Sequence, residues 1–397
     1  MTRTKICFAT REYAHPSMGK TGGIGVFVKQ FAAQLQYADF DITVFSFGDK
    51  SVRFKDEHIT VIKIKDLSGF NEAIKSPLRK YKVPGYITIK KLLAFFNRIY
   101  ISWYLSYYVF KHKIDLIEFH DYGGDFTYFM GKLPKVVRCH GTAVTLHQFM
   151  GYYKRQPDAF FEYQFFKRFN KHVVAVSKAS ASMTQKAFQL KSLPKVIYNG
   201  VAIPKIEGAK EYLNAPTEKF SVYYFGTVRE RKGIDIACTV FNSLIEDYPQ
   251  ATFHIMGNDN NKYWKDHAKP ILSNKAIANT TYYGTIPNEK VNDYLKKAHV
   301  VLFPSFGENF SVALLEVMAL GKLVVSSNIP AFNEIIIHKQ NGFIAKEEKE
   351  YEQYIRSIFN AEVEVNTISK HAIQTLKSHL DLKDILKQNI NYYKSLL

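Results

Sequence analysis

Short apolar runs rich in β-branched and aromatic residues alternate with longer helix-like stretches along all 397 residues. This alternation predicts an α/β protein with a parallel, doubly wound sheet, because each helix carries the chain back to the edge where the next parallel strand begins. The first half contains six candidate strands: Lys5–Ala9, Ile42–Ser46, Thr60–Ile64, Ile114–Phe119, Lys135–Cys139 and Val173–Val176. The second half contains five: Ser221–Phe225, Thr252–Met256, Thr280–Tyr283, His299–Phe303 and Leu323–Ser326.

The alternation is interrupted once, by the polar stretch from Tyr198 to Glu218, and then begins again. We therefore expect two Rossmann-like doubly wound domains, residues 1–200 and 201–380, that face each other across a cleft. Ligands of such sheets meet the carboxyl ends of the strands, which would line that cleft. Residues 381–397 are expected to form a C-terminal helix that packs back on the N-terminal domain.

The charge of the chain is unevenly distributed between the two halves. Residues 1–200 contain 31 Lys and Arg against 14 Asp and Glu, whereas the overall formal charge is +18. The second half is therefore nearly neutral, and the first half is expected to face something anionic, such as a membrane, an acidic polymer or a nucleic acid. A merely solvated basic surface is the alternative.

Cysteine usage and hydropathy indicate the compartment. The three cysteines are far apart and lie in apolar runs, which is neither a disulfide framework nor metal-ligand spacing. The sequence starts without the apolar segment of a signal peptide, and no run reaches the ~20 apolar residues of a membrane-spanning helix. A cytoplasmic protein is expected.

The segment FPSFGENFSVALLEVMALGKLVVSS, residues 303–327, carries the strongest chemical signal. Glu308 ends a short glycine-containing loop after a strand, and Ser311 can cap a helix that starts at Val312 and whose first-turn N–H groups attract phosphate oxygens. Glu316 is the only charge in that otherwise apolar helix, so its carboxylate needs a partner. A ribose diol can supply two hydroxyl donors, and a structural Lys or Arg is the alternative.

Four other loops follow predicted strands. YYFGTVRERKGIDIA at residues 223–237 brings Arg229, Arg231 and Lys232 before a helix, where fixed cations can stabilise a departing diphosphate without a metal, although such a turn is often only a solvated loop. GKTGGIGVF at residues 19–27 has glycines that let the backbone approach a phosphate. His120-Asp121 and His140-Gly141 directly follow strands, at the edge where α/β sites are built.

Taken in order, these segments resemble the retaining glycosyltransferases of family 4, which have the GT-B architecture. The resemblance covers essentially the whole chain and is most specific at the pair Glu308 and Glu316. It is also carried by several shorter motifs: Gly22-Gly23, His140-Gly141, VVAVSKAS at 173–180, YNGV at 198–201, Gly226 with Lys232-Gly233, Met256-Gly257, Tyr283-Gly284, Gly321, Glu334 and Gly342.

The resemblance implies a role for each of these positions. Glu316 would bind the nucleotide ribose, Glu308 would lie beside the transferred sugar, and Lys232 would bind the diphosphate. His140 would contact the sugar or orient the acceptor. The amides near Gly23 and at Phe310, Ser311 and Val312 would close around the diphosphate, and Gly257, Thr285 and Ile286 would hold the base largely through backbone atoms. The other donor-binding candidates are Thr227, Arg229, Arg231 and Asn309. His120 and Asp121 are candidates for the acceptor side.

The chain departs from the family pattern at two positions. Thr227 stands where the family usually has an arginine directly after the glycine, so Arg229 or Arg231 is expected to replace that cation. Asn309 stands where a glycine often follows the first glutamate, which leaves the amide geometry there open.

The function implied is transfer of a sugar from a nucleotide-diphosphate sugar to a hydroxyl of a glycan or lipid-linked acceptor in bacterial surface polysaccharide or glycoconjugate synthesis. Contacts to the base are expected to be mostly backbone, so UDP-sugars are favoured only because they are common in the family. The alternatives are a non-hydrolysing sugar-nucleotide epimerase and a non-catalytic membrane- or RNA-binding protein, although no RNA-binding signature is present.

No cofactor and no metal are expected. Asp39-Phe40-Asp41 has the form of a metal-binding D-x-D motif, but it precedes a strand instead of following one, and we interpret it as a turn.

Two basic, aromatic segments of the first half predict peripheral association with an anionic membrane, on its cytoplasmic face. Lys75–Tyr86 contains prolines and a glycine that favour an exposed loop over a helix. Tyr152–Lys171 mixes cations such as Lys154 and Arg155 with many aromatic residues, and part of it is expected to form a helix before Val173. The alternative is that these aromatic side chains belong to the core. No nucleic-acid partner is expected.

Overall fold

The computed structural model describes residues 3–19, 22–35, 40–151, 158–204, 220–259 and 261–397. The chain divides into two compact units. Unit 1 comprises Met1–Val176, Ser180–Ile197 and Leu386–Leu397, and unit 2 comprises Ser177–Ala179 and Tyr198–Ile385. The main division therefore follows Ile197, three residues before the boundary expected from the sequence.

Unit 1 contains a sheet to which the described residues contribute eight strands in the order β3-β4-β2-β1-β5-β6-β7-β8. These are β1 (Thr4–Ala9), β2 (Phe40–Gly48), β3 (Val52–Asp56), β4 (Ile59–Lys65), β5 (Leu116–His120), β6 (Lys135–Cys139), β7 (Val173–Ala175) and β8 (Lys195–Val196). All pairs are parallel except β3 with β4. The six strands expected in this half are confirmed. The two additional strands lie at the edges, where short or alternating segments give a weak apolar signal.

Unit 2 contains a parallel sheet with six described strands in the order β11-β10-β9-β12-β13-β14. These are β9 (Ser221–Phe225), β10 (Thr252–Met256), β11 (Thr280–Gly284), β12 (Val300–Phe303), β13 (Leu323–Ser327) and β14 (Phe343–Ala345). The five strands expected here are confirmed, and the three-residue edge strand β14 was not anticipated. Both units are thus doubly wound α/β domains, as the sequence predicted.

Helices connect the strands in both units. In chain order they are α1 (Gly23–Leu35), α2 (Ser68–Lys80), α3 (Tyr86–His112), α4 (Ala143–Met150), α5 (Ala159–Arg168), α6 (Lys178–Phe188), α7 (Ile234–Asp247), α8 (Asn274–Ala278), α9 (Asn288–Leu295), α10 (Val312–Ala319), α11 (Pro330–Asn333), α12 (Glu348–Phe359), α13 (Val365–His379) and α14 (Leu382–Lys394). No described helix is long and apolar enough to cross a membrane.

Helix α2 contradicts the exposed loop expected for Lys75–Tyr86, because residues 75–80 are helical and include Pro77. The helix is held at its other end, where Asn71 on α2 donates to the carbonyl of Leu93 on α3 at 3.2 Å. Tertiary packing of this kind outweighs the local cost of Pro77, which lacks the N–H that would bond to the carbonyl of Ala73. In the second basic segment α5 is helical as expected, whereas Lys154 and Arg155 lie outside the described residues.

Helix α14 contributes two polar side chains to a buried cluster in unit 1. Arg138 on β6 donates through Nε to Glu118 on β5 at 2.6 Å and through Nη2 to Asn389 on α14 at 2.7 Å. The hydroxyl of Tyr393 donates to Glu118 at 2.6 Å, and all four side chains are buried. Removing one partner of a buried charge pair is strongly destabilising, because the other charge is left uncompensated. The cluster therefore fixes the end of the chain to the sheet.

The described part of the D-x-D segment lies in a strand. β2 begins at Phe40, so Asp41 belongs to the strand and the interpretation as a turn is wrong for that residue. Asp39 lies outside the described residues.

Candidate functional site

In unit 2 the order of the strands reverses between β9 and β12, which lie side by side at the centre of the sheet. The loops that leave such neighbouring strands run to opposite sides and open a crevice at the carboxyl edge, where α/β proteins bind ligands. Residues 226–233 leave β9 and residues 304–311 leave β12. The sequence signals at Lys232 and Glu308 therefore lie at one switch point.

Glu308 is the centre of a buried ionic cluster in this crevice. Its Oε1 contacts Nζ of Lys232 and accepts a hydrogen bond from Ser305 at 3.0 Å. Its Oε2 lies 3.6 Å from Nη1 of Arg231, and the same Nη1 donates to the carbonyl of Gly307 at 2.7 Å. Burial alone would raise the pKa of Glu308, but Lys232 and Arg231 lower it below its ordinary value. The carboxylate is therefore ionised at neutral pH.

Of the two arginines that could replace the family cation, Arg231 belongs to this cluster. The guanidinium of Arg229 forms no ion pair or hydrogen bond with the described residues, and only its backbone carbonyl is engaged, by the N–H of Lys232 at 3.0 Å. Thr227, which stands at the family position, uses its carbonyl to accept a hydrogen bond from the hydroxyl of Tyr224 at 2.9 Å.

Helix α10 has the N-terminus that the sequence predicted. Ser311 caps it by accepting the N–H of Leu314 at 3.3 Å, which leaves the first-turn N–H groups of Val312 and Ala313 without an intrahelical acceptor. Before the cap, Asn309 and Phe310 are half-buried, and the Phe310 ring lies 5.5 Å from that of Tyr198. The N-terminal end of α10 is thus polar and open to a ligand.

Glu316 lies one turn into α10 without a protein partner. Its carboxylate makes no hydrogen bond or ion pair with the described residues, and burial raises its pKa to about 7. The structural Lys or Arg that would have explained this glutamate is therefore absent from the described part of the chain. Such a carboxylate is available to accept hydrogen bonds from a ligand.

The turns after β9, β10 and β11 are stacked side by side. Gly226 N–H donates to the carbonyl of Met256 at 3.0 Å, and Gly257 N–H donates to the carbonyl of Gly284 at 2.9 Å. A Cβ on Gly257 would lie 1.7 Å from the carbonyl oxygen of Gly226, so only glycine fits this contact. Thr285 is exposed and Ile286 half-buried just beyond Gly284.

In unit 1 two histidines lie together at the carboxyl edge. The His120 and His140 rings stack at 4.9 Å, with Phe27 of α1 4.8 Å from His140. Burial lowers the pKa of His120 to about 4 and that of His140 well below its ordinary value. Both imidazoles are neutral at pH 7, and both Nε2 atoms are buried without a partner among the described residues. They are available to bind a neutral polar group.

Asp121 is engaged by the backbone. Its two carboxylate oxygens accept the N–H groups of His140 at 3.0 Å and Gly141 at 3.1 Å, and the residue is fully buried. Burial raises its pKa to about 7. Asp121 therefore positions the His140 loop, whereas the sequence suggested only a place on the acceptor side.

The glycine loop at residues 19–27 is shorter than the sequence suggested, because α1 already begins at Gly23 and Gly25 is buried within it. Gly23 is exposed at the helix start. The preceding Gly22 N–H donates to Glu12 at 2.7 Å.

Comparisons with known proteins agree with this arrangement along the chain. A family signature described as Glycosyl transferases group 1 matches residues 206–375, and one described as Glycosyltransferase Family 4 matches residues 21–203. The chain belongs to the family 4 glycosyltransferases, which have the GT-B fold. The resemblance inferred from the sequence is confirmed.

Relatives of this glycosyltransferase are distant in sequence. An uncharacterised glycosyltransferase of Methanocaldococcus jannaschii is 23% identical over 387 residues, which cover 94% of this chain and 92% of that protein. Sucrose-phosphate synthase from Thermosynechococcus elongatus has the same fold, with a TM-score of 0.73, 17% identity and 99% of each chain covered. Anabaena HepE in complex with UDP-glucose has a TM-score of 0.67 at 20% identity, covering 99% of this chain and 100% of that one.

The glycosyltransferase also contains a site residue that sequence reasoning missed. Glu162 on α5 is fully buried and accepts three backbone N–H groups, from Gly123 at 2.9 Å and from Ala143 and Val144 at 3.0 Å each. It thereby joins the loop after β5 to the start of α4, which follows His140. The sequence signal that could have found it is its setting in FFEYQFF, because a lone charge among aromatic residues indicates burial.

Proposed function

We propose that this chain is a retaining glycosyltransferase that moves a hexosyl group from a UDP-sugar to a hydroxyl of a glycan or lipid-linked acceptor, without a metal. The single observation that carries the proposal is the contrast between two glutamates. Glu308 is ionised beside Lys232 and Arg231, whereas Glu316 is half-buried and has no partner among the described residues. Two carboxylates in such different settings suit two different tasks on one donor.

The donor's ribose and diphosphate are assigned to separate groups. The carboxylate of Glu316 can accept hydrogen bonds from both ribose hydroxyls, which would supply the partners it lacks. Lys232 and Arg231, together with the N–H groups at the start of α10, offer positive charge to the diphosphate. The stacked glycine turns at Gly226 and Gly257 expose backbone that suits the base. The HepE complex with UDP-glucose supports a uridine donor.

Transfer is proposed to proceed on one face of the sugar. As the bond between the anomeric carbon and the diphosphate oxygen breaks, negative charge grows on the diphosphate and positive charge on the sugar. Lys232 and Arg231 stabilise the first, and ionised Glu308 stabilises the second. The acceptor oxygen then forms its bond on the side the diphosphate leaves, and the leaving oxygen takes the acceptor proton. His140 is assigned to the sugar or the acceptor, to which its neutral ring can offer a hydrogen bond.

The experiment that tests this function begins with calorimetric binding of UDP-, GDP-, ADP- and CMP-sugars. The donor that binds is then incubated with simple acceptors, and the new linkage is examined by NMR in buffer with and without EDTA. We expect UDP-sugar binding, a product with the donor's anomeric configuration and activity that survives chelation. An inverted linkage, or complete loss of activity in EDTA, would refute the mechanism.

We also infer that the protein is cytoplasmic and associates peripherally with an anionic membrane. The first 200 residues contain 31 basic and 14 acidic side chains. This imbalance supports membrane association, because a cationic surface is attracted to anionic lipid. A glycosyltransferase with a lipid-linked acceptor needs access to the surface where that acceptor lies.

A further inference from the structure

Helix α3 of unit 1 exposes a long apolar face that the fold does not use. The exposed side chains are Leu92, Phe96, Ile99, Trp103, Tyr107 and Phe110. Their spacing of three and four residues places them on one side of the helix over five turns, or about 27 Å. Phe110 is 84% exposed, and Phe96 and Trp103 are each 55% exposed. We call these six residues the α3 apolar face.

The core is packed by the opposite side of the same helix. Its buried residues are Arg98, Ile101, Ser102, Leu105, Tyr108 and Val109. The helical spacing of the apolar residues in the sequence predicts a helix with an apolar stripe at Leu92, Leu93, Phe96, Tyr100, Trp103, Tyr107 and Phe110. The helix is confirmed, but most of that stripe is exposed to solvent. A helix that is apolar on both sides is expected to bury both.

The charge around the α3 apolar face indicates what covers it. Residues 73–114 contain nine Lys and Arg and no Asp or Glu. Two lysines, Lys90 and Lys91, are exposed near the start of the face, and Lys111 and Lys113 are exposed at its end. Two copies of this chain would bring like charges together at such a contact, which opposes self-association. An anionic surface is complementary to it.

The aromatic groups on the face are those suited to a bilayer interface. Trp103 and Tyr107 stack at 6.3 Å with only 13° between their planes, and Lys111 Nζ lies 5.7 Å from the centre of the Tyr107 ring. Trp and Tyr are enriched where hydrocarbon meets headgroups, and lysines beside them reach the phosphates. The surface continues into Met130, which is 64% exposed and donates its N–H to Ser106 of α3 at 3.0 Å.

We propose that the α3 apolar face is the surface by which this protein lies in the interface of an anionic membrane. The proposal rests on the peripheral association proposed above and assigns it to a specific helix, in place of the basic loop that the sequence suggested. An amphipathic helix of this kind lies in the plane of the membrane, with its apolar side at the level of the acyl chains.

The same helix reaches the candidate acceptor side of unit 1. From the buried side of α3, Arg98 donates to the carbonyl of Gly123 through Nη2 at 2.8 Å. Gly123 lies in the loop that follows His120 and Asp121 at the end of β5. Membrane contact on α3 is therefore one helix diameter from the loop proposed to serve a lipid-linked acceptor.

The chain contains two tryptophans, Trp103 and Trp264, so the full-length Trp264→Phe variant reports on Trp103 alone. We expect its emission to shift to shorter wavelength on vesicles of equal phosphatidylglycerol and phosphatidylcholine, and to be quenched by brominated acyl chains. Phosphatidylcholine vesicles should give no shift, and salt should reverse the effect. The double variant Lys90→Glu/Lys91→Glu should bind at least tenfold more weakly, since each cation contributes roughly fivefold.

Matched variants separate the face from general hydrophobicity. Phe96→Ser/Phe110→Ser should weaken vesicle binding at least tenfold, whereas Ile337→Ser, which alters an exposed apolar residue of unit 2, should not. No emission shift on anionic vesicles, or equal effects of the two variants, would overturn the proposal. If the protein is a dimer in solution and only Phe96→Ser/Phe110→Ser makes it monomeric, the α3 apolar face binds a second copy of this chain and the membrane proposal is overturned.

UDP-glucose binding, measured on each variant, separates the two proposals. Normal nucleotide binding without vesicle binding refutes the α3 assignment alone. Vesicle binding without any sugar-nucleotide binding refutes the proposed donor chemistry and leaves the α3 apolar face intact.

Discussion

The backbone of Gly233 lies directly against the carbonyl of Pro304, so that a Cβ on Gly233 would be 1.9 Å from the Pro304 oxygen. Gly233 has a φ of 67°, in the left-handed region that favours glycine. It follows Lys232 and Pro304 precedes Ser305, so this contact brings the loop after β9 to the loop after β12. The ionic cluster of Lys232 and Glu308 depends on that approach.

Replacing this glycine should therefore damage the donor site more than its small size suggests. Gly233→Ala introduces a steric overlap and places a residue with a Cβ at an unfavourable φ. We expect it to lower the free energy of unfolding by about 1–3 kcal/mol or more and to weaken UDP binding. Thermal denaturation and calorimetry measure the two effects. Gly69→Ala in α2, where nothing lies within 4 Å of the new methyl, is the control: it should leave UDP binding unchanged and raise the free energy of unfolding by up to about 1 kcal/mol. Equal behaviour of the two variants would contradict the close approach.

Substitutions at Glu308 and Lys232 should have different effects, one on turnover and the other on UDP binding. Glu308→Gln removes the charge proposed to face the sugar but leaves two cations for the diphosphate, so kcat should fall roughly 10- to 150-fold while UDP binds as tightly or more tightly. Lys232→Ala should instead weaken UDP binding by a similar factor. Steady-state kinetics and calorimetry on both variants test the split. Unaltered kcat in Glu308→Gln would argue against its assigned role.

Glu316→Gln should change stability and affinity in opposite directions. Its folded pKa of about 7 lies above the ordinary value of 4.5, so the carboxylate destabilises the ligand-free fold as pH rises from 4.5 through 7. Removing the charge should raise the free energy of unfolding at pH 8 by up to about 3 kcal/mol, which thermal denaturation would show as a higher Tm. At pH 5 the substitution should have little effect. UDP-glucose should bind more weakly. Glu289→Gln, on the exposed surface of α9, serves as the control.

The affinity of the parent enzyme for UDP-glucose should also depend on pH through Glu316. We expect it to strengthen from pH 6 to 8, because the ionised carboxylate is the better acceptor for ribose hydroxyls. Glu316→Gln should lose this dependence. A parent affinity that is constant across this range would remove Glu316 from the ribose site.

The hydroxyl of Tyr393 should matter more than that of its neighbour Tyr392. Tyr393→Phe leaves Glu118 and Arg138 with one hydrogen bond fewer each, which costs about 1.5–3 kcal/mol in a buried charged cluster. Tyr392→Phe, one residue earlier on α14, removes a hydroxyl without a described partner and should be nearly neutral. Urea denaturation compares them. Glu118→Ala should be worse than either, at about 3–5 kcal/mol, because it leaves Arg138 buried and unpaired.

Much of the donor site could be predicted from local sequence. The strand at residues 300–303, the cap at Ser311 and the lone charge at Glu316 are all written within one short segment, and the structure has them where they were expected. The ion pair of Glu308 with Lys232 was not predicted, because those residues are 76 positions apart and meet only when β9 and β12 become neighbours.

Two buried carboxylates of unit 1, Asp121 and Glu162, show the same limit. Asp121 was noticed because it follows a strand, but its binding of the His140 and Gly141 N–H groups depends on β5 pairing with β6. Glu162 went unnoticed because its three backbone partners come from two distant segments, the loop after β5 and the start of α4.

The sequence by itself determined the α/β class, the two-domain organisation, nearly every central strand and the family, because these follow from hydrophobic period and short motifs that each lie within a few neighbouring residues. Tertiary structure alone decided which charges meet, which glycines are irreplaceable and which side of α3 enters the core. The physical reason is that burial, pKa and exposure are properties of packing between distant segments. The stripe from Leu92 to Phe110 predicts a helix whichever way it faces, and only the packing of unit 1 leaves that stripe in solvent.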